Sequence, residues 1–144
     1  MEVLVFGHAG DRVLVFPSRC GRFYEYEDKG MVHALEPQIE AGALQLFCVD
    51  GIDAQSVYCA DIPPQERILQ HQRYERHILE EVLPFSAKHN PSSKLVAHGC
   101  SLGAYHAMNV AMRHPHLFQK IVAFSGRYDL TRASEEFVDL FEAY

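Results

Sequence analysis

The chain has 144 residues, 48% of them apolar, and a formal net charge of −6. That suits one core and is thin for two, so residues 1–144 read as a single domain. Lysines and arginines are scattered rather than striped, which argues against nucleic acid as a partner, and no apolar run approaches the ~20 residues of a membrane helix.

The first residues, MEVLVFGHAGD, carry no basic region and no long apolar stretch, so no signal peptide is expected. EVLVFG (2–7) and RVLVFPS (12–18) are apolar runs closed by turn residues, and both predict strands. Helical spacing follows over roughly 26–41, weakened or ended by Pro37 and Gly42. LQLFCVD (44–50) predicts a third strand. The next helix is the best marked. Asp61 is expected to cap it, Pro63 and Pro64 to fill its first turn, and Ile68, Ile78, Leu79, Val82 and Leu83 to share a face. KLVAHG (94–99) predicts a strand, Leu102 to His114 a helix stopped by Pro115, and KIVAFSG (120–126) a last strand. A final helix is expected around Ser134 to Tyr144, with Phe137, Val138, Leu140 and Phe141 on one side.

The strands are nearly continuous in Val, Leu, Ile and Phe, as strands buried on both faces are. Alternation with helices then predicts an α/β fold: a mostly parallel sheet of about five strands with helices on both faces. Four separate cysteines (Cys20, Cys48, Cys59, Cys100) without C-x-x-C spacing read as reduced thiols of a cytoplasmic protein.

Between the fourth strand and its helix lies HGCSLGA (98–104), which contains G-x-S-x-G. A strand that turns abruptly into a helix strains its middle residue, and Gly99 and Gly103 leave room on either side of Ser101. The hydroxyl would stand above the carboxyl edge of the sheet. The Leu102 backbone N–H, at a helix N-terminus, would face the oxyanion of a tetrahedral intermediate. Ser101 is thus the candidate nucleophile. The alternative is a strand–helix turn that merely contains serine.

Other chemistries find less support. Cys100 stands one residue off the centre of the turn. His71 and His77 are six apart and do not share a helix face, and H-E-x-x-H is absent, so no metal site is expected. The glycines could bind phosphate through backbone N–H groups, but the lysine and length of a phosphate loop are missing.

GCSLGAYHAMNVAMRHPHLFQKIVAFSGRYDL, with FPSRCGRFYEYEDKGM and LQLFCVDGID upstream, resembles a small bacterial putative-esterase branch of the α/β-hydrolase superfamily, akin to the esterase-D-like serine hydrolases. The resemblance covers nearly the whole chain. It implies a small-molecule ester or thioester substrate, no metal, no organic cofactor, and Ser101 as nucleophile. It also places a second oxyanion donor in the loop after the second strand, Ser18 to Arg22, with the Cys20 backbone N–H as choice. A role for Cys20 and Gly21 as plain turn residues stays open beside it.

A serine hydroxyl needs a base, and in that superfamily the chain order is Ser, acid, His. After Ser101 come only His106, His114 and His116. His106 lies on the helix leading away, and the other two at its far end, roughly 18 Å off at 1.5 Å per residue. His8 is expected on the wrong rim, His98 in a packing or hydrogen-bonding role, and Asp129 in a loop. The resemblance implies further strands carrying acid and histidine beyond this chain. KIVAFSG would then be an open sheet edge, so self-association is expected. Two functions remain: a serine esterase-like hydrolase, or a non-catalytic remnant or interaction domain with the same fold.

Overall fold

The computed structural model describes residues 1–128; Asp129 and the helix expected around Ser134 to Tyr144 lie outside them. Among the described residues five strands form one sheet: β1 (Val3–Phe6), β2 (Asp11–Phe16), β3 (Leu44–Val49), β4 (Leu95–Cys100) and β5 (Lys120–Phe124). Their spatial order is β1-β3-β2-β4-β5. Only β1 runs antiparallel, pairing Val3 with Val49. The other neighbours are parallel, with Val13 opposite Leu46, Leu14 opposite Ala97, and Gly99 opposite Ala123. This is the α/β architecture that the alternating pattern predicts.

The apolar runs are continuous because both faces of the inner strands are covered. Leu14, Phe16, Phe47, Val49, Leu95 and Ala97 point into the larger core with Ile78, Val82, Ala107 and Val110. Val15, Leu46 and Cys48 point the other way, toward Ile39, Val32 and Leu35. Each fully buried Leu, Val or Phe contributes about 1.5–3 kcal/mol, so both faces anchor the sheet.

The helical spacing over 26–41 does not give one helix. It breaks into α1 (Glu25–Asp28), α2 (Met31–Ala34) and α3 (Glu36–Glu40). Gly30 sits at φ +74°, a left-handed residue that stops the first turn, and Leu35 at φ −99°, ψ 2° stops the second. Helix α4 (Pro64–His77) begins at Pro63 without a side-chain cap, so Asp61 does not cap it as expected. It continues through a π turn at Ile78–Val82 into α5 (Leu83–His89). Ile78, Val82 and Leu83 are buried as expected, but the buried stripe of α4 itself is Arg67, His71, Tyr74 and Glu75. Helix α6 (Leu102–Arg113) follows β4 directly. Among the described residues no helix is long and apolar enough to cross a membrane.

Because β2, β3, β4 and β5 are parallel, their carboxyl ends share one rim. The segments that leave it start at Pro17, Asp50, Ser101 and Ser125, and open parallel sheets bind ligands at such a rim.

Candidate active site

Ser101 joins β4 to α6 in one residue, with φ 56° and ψ −118°. An L residue is disfavoured there, and such strain is worth roughly 1–3 kcal/mol. The turn is held from both sides. Its N–H donates to the Phe124 carbonyl at 2.9 Å, extending the β4–β5 ladder, and its carbonyl accepts from Ala104 N–H at 3.1 Å. The residue is exposed, as is Cys100 before it.

The flanking glycines are required by contact, not by their own dihedral angles. A Cβ at Gly99 would come 2.3 Å from the Gly103 carbonyl carbon and oxygen. One at Gly103 would come 2.4 Å from the Phe16 carbonyl oxygen and 2.5 Å from that of Pro17. Helix α6 therefore lies with its first turn directly against the end of β2. Ala104 and Ala107, both 0% exposed, continue the close approach. Leu102 opens the helix, so its backbone N–H belongs to the unpaired first turn and points out of the helix N-terminus.

Beside this turn runs the loop after β2. Cys20 is exposed and adopts φ 53°. Its N–H does not face solvent freely: it donates to Asp53 Oδ2 at 3.2 Å. Ser18 is tied by its N–H and its hydroxyl to the Glu25 carboxylate. Arg22 Nε and Phe23 N–H both donate to Asp50 Oδ1, at 2.6 and 3.2 Å. The FYEYED segment thus supplies Glu25 as the brace of the loop, a role its composition did not reveal. The Arg19 guanidinium lies 4.0 Å above the Tyr58 ring.

None of the described histidines hydrogen-bonds to Ser101. His98 is held on both nitrogens: Nδ1 donates to the Val122 carbonyl at 2.6 Å, and Nε2 accepts from the Tyr26 hydroxyl at 2.9 Å. Burial lowers its pKa, against the carbonyl bond that raises it, and burial pushes the Tyr26 phenol up to about 12. His106 donates to Asp53 Oδ1 at 2.9 Å in the core. His114 bonds Glu75 at 2.9 Å, and the His116 ring meets the His114 ring edge-on at 6.4 Å. The exposed His8 lies by Gly42, at the amino end of β3 and on the opposite rim from Ser101. Among the described residues no three His, Cys, Asp or Glu side chains gather as a metal site.

Sequence reasoning missed the buried polar group behind the turn. His71 stacks on His106 at 5.4 Å, and its Nδ1 is buried without a partner among the described residues. Burial first, then His106, push its pKa down to about 4 from 6.5, with Glu75 and Asp53 opposing and Arg113 adding. The folded state therefore holds His71 neutral, while the unfolded chain takes up a proton below about pH 6.5. Stability is present above that pH and is lost as pH falls toward 4. We expect the wild type to lose about 2 kcal/mol more than His71→Leu between pH 7 and about pH 4.5, read from urea midpoints. Equal losses in the two proteins would refute this.

A family model described as Putative esterase matches residues 28–135. A search of curated proteins returned no match. The matched span runs from the end of α1 through the Ser101 turn and past β5, and on it the chain belongs to the Putative esterase family.

Proposed function

We propose that the chain is a serine esterase, akin to the esterase-D-like hydrolases, in which Ser101 attacks the acyl carbonyl of a small carboxylic ester or thioester. The observation that carries this reading is the exposed Ser101 at φ 56°, ψ −118°, between β4 and the N-terminus of α6. Strain of this kind is kept where function needs the side chain aimed. The Leu102 N–H is the first oxyanion donor, strengthened by the positive end of a 12-residue helix. Since Cys20 N–H already serves Asp53, the second donor is the neighbouring Arg19 N–H, presented by the same loop.

A second reading, a non-catalytic domain that keeps the geometry, is favoured by one observation: no described histidine reaches the hydroxyl. A fluorophosphonate probe separates the two. The esterase reading expects Ser101 to be labelled, p-nitrophenyl acetate to be cleaved, and both to vanish in Ser101→Ala. No label and no cleavage would overturn it. A label without cleavage fits a serine whose base lies outside residues 1–128.

Self-association through β5 belongs to the same proposal. Among the described residues β5 is one of the two edge strands, with β1 at the other side, and Val122 (39% exposed) and Phe124 (51%) stand out of it. They border an apolar trough of about 320 Å³ with Val13, Leu46 and Val96. Sedimentation is expected to show dimers or larger species at micromolar concentration. Replacement of both by lysine should shift them to monomer, and a wild type that is monomeric throughout sinks the idea.

A further inference from the structure

The Asp53 side chain is 1% exposed and His106 is 5% exposed, yet neither belongs to the chemistry proposed above. His106 cannot act as base: its Nε2–H is given to Asp53, and its ring is enclosed by Phe16 at 6.1 Å, Tyr74 at 5.7 Å and His71 at 5.4 Å. What matters is where the two carboxylate oxygens go. Oδ1 accepts from His106, on the helix that begins at Ser101. Oδ2 accepts from the Cys20 N–H, in the loop after β2. One buried carboxylate therefore ties together the two segments that flank the site.

We propose that Asp53 and His106 are positioning residues, which set the Cys20 loop at a fixed distance from the Ser101 turn. The proposal rests on the esterase reading for its catalytic consequence, but not for its structural one. Three features carry it. Cys20 is held at φ 53°, a conformation that a non-glycine residue keeps only when its surroundings over-determine it, and the Asp53 bond supplies that constraint. The Asp53–His106 bond joins two buried groups, one of them a carboxylate, and has little freedom to lengthen, because an uncompensated oxygen there is costly. The segment bearing Asp53 is itself docked on the loop: a Cβ at Gly51 would come 2.6 Å from the Gly21 carbonyl oxygen, and Tyr74 donates its hydroxyl to the Asp50 carbonyl at 2.9 Å. The helix, the β3 loop and the β2 loop thus form one rigid chain of contacts, with Asp53 at its centre. The Asp53 bond fixes the Arg19–Cys20 peptide group, and the Gly21 N–H, given to the Ser18 carbonyl at 2.8 Å, holds the adjoining Ser18–Arg19 peptide group that carries the amide assigned as oxyanion donor.

The test reads the loop and the activity separately in the intact chain. His106→Leu removes the donor and keeps similar bulk; His106→Gln keeps a donor that can reach Asp53. In His106→Leu, amide hydrogen exchange at Cys20 is expected to rise at least tenfold relative to the core amide of Ala97. Turnover of p-nitrophenyl acetate is expected to fall at least tenfold with KM within threefold, and His106→Gln should restore most of both. If His106→Leu does not fold, Asp53→Ala, which removes both acceptor oxygens, is expected to give the same rise at Cys20. Unchanged Cys20 exchange relative to Ala97, or a faster exchange with full turnover, overturns the proposal. A wild type never labelled at Ser101 overturns the esterase reading instead, and the exchange measurement still decides whether the tie exists.

Discussion

Gly103→Ala is expected to destabilise the protein by about 3 kcal/mol or more, among the largest losses any single methyl group can cause here. In an exposed helix the same change would gain up to about 1 kcal/mol from helix propensity. At this position the methyl meets the carbonyl oxygens of Phe16 and Pro17 at 2.4 and 2.5 Å. These are backbone atoms at the end of β2, which is paired on both sides, with β3 and with β4. No rotamer change relieves the contact. Either α6 moves off the sheet, exposing Ala104 and Ala107, or the end of β2 leaves its ladder. Gly30→Ala is the control, since nothing lies within 4 Å of its Cβ and only its φ of +74° opposes the change. About 1 kcal/mol is expected there. Urea midpoints of the two variants measure the difference, and a Gly103→Ala protein as stable as Gly30→Ala would show that α6 does not lie as close to β2 as described.

The same contact explains why the strand–helix turn was legible from one short motif. Gly99, Ser101 and Gly103 stand two residues apart in sequence, and their spacing follows from steric limits on a single turn. The strands were legible for a similar reason, because burial on both faces leaves continuous apolar runs. What could not be read were relations between distant segments. Asp53 lies in a polar loop, His106 on an otherwise small-residue helix face, and nothing in either neighbourhood indicates that they meet across 53 residues. The helix read over 26–41 failed at Gly30, whose left-handed angle is a local choice that apolar spacing does not register. In α4 the expected apolar face was drawn through Ile68. The buried side carries Arg67, His71, Tyr74 and Glu75 instead, because partners from elsewhere reach three of them: Arg113 and His114 meet Glu75, the Asp50 carbonyl takes the Tyr74 hydroxyl, and the Val57 carbonyl takes Arg67, while His71 is held neutral against the His106 ring. Burial of a polar stripe depends on those partners, which lie outside any local window.

Ser101→Gly is expected to do two opposite things: remove every trace of fluorophosphonate label and raise stability by about 1 kcal/mol. The first follows if the hydroxyl is the nucleophile. The second follows from the backbone alone. At φ 56°, ψ −118° a Cβ is a steric liability, and its removal relieves part of the roughly 1–3 kcal/mol such a residue stores. Glycine gives back some of this through the greater freedom of the unfolded chain, roughly 0.5–1 kcal/mol, which leaves the net gain small but positive. Ser101→Ala keeps the Cβ and loses only the hydroxyl, so its stability should stay within about 0.5 kcal/mol of wild type while the label also disappears. The pair separates chemistry from strain, since both lose the reactive oxygen and only one loses the steric penalty. Gly and Ala variants of equal stability would mean that position 101 is not held under strain. Labelling that survives in either variant would mean that another residue is the nucleophile. A glycine variant that is more stable and unlabelled is the result required if the strained backbone at Ser101 is kept for the sake of its hydroxyl.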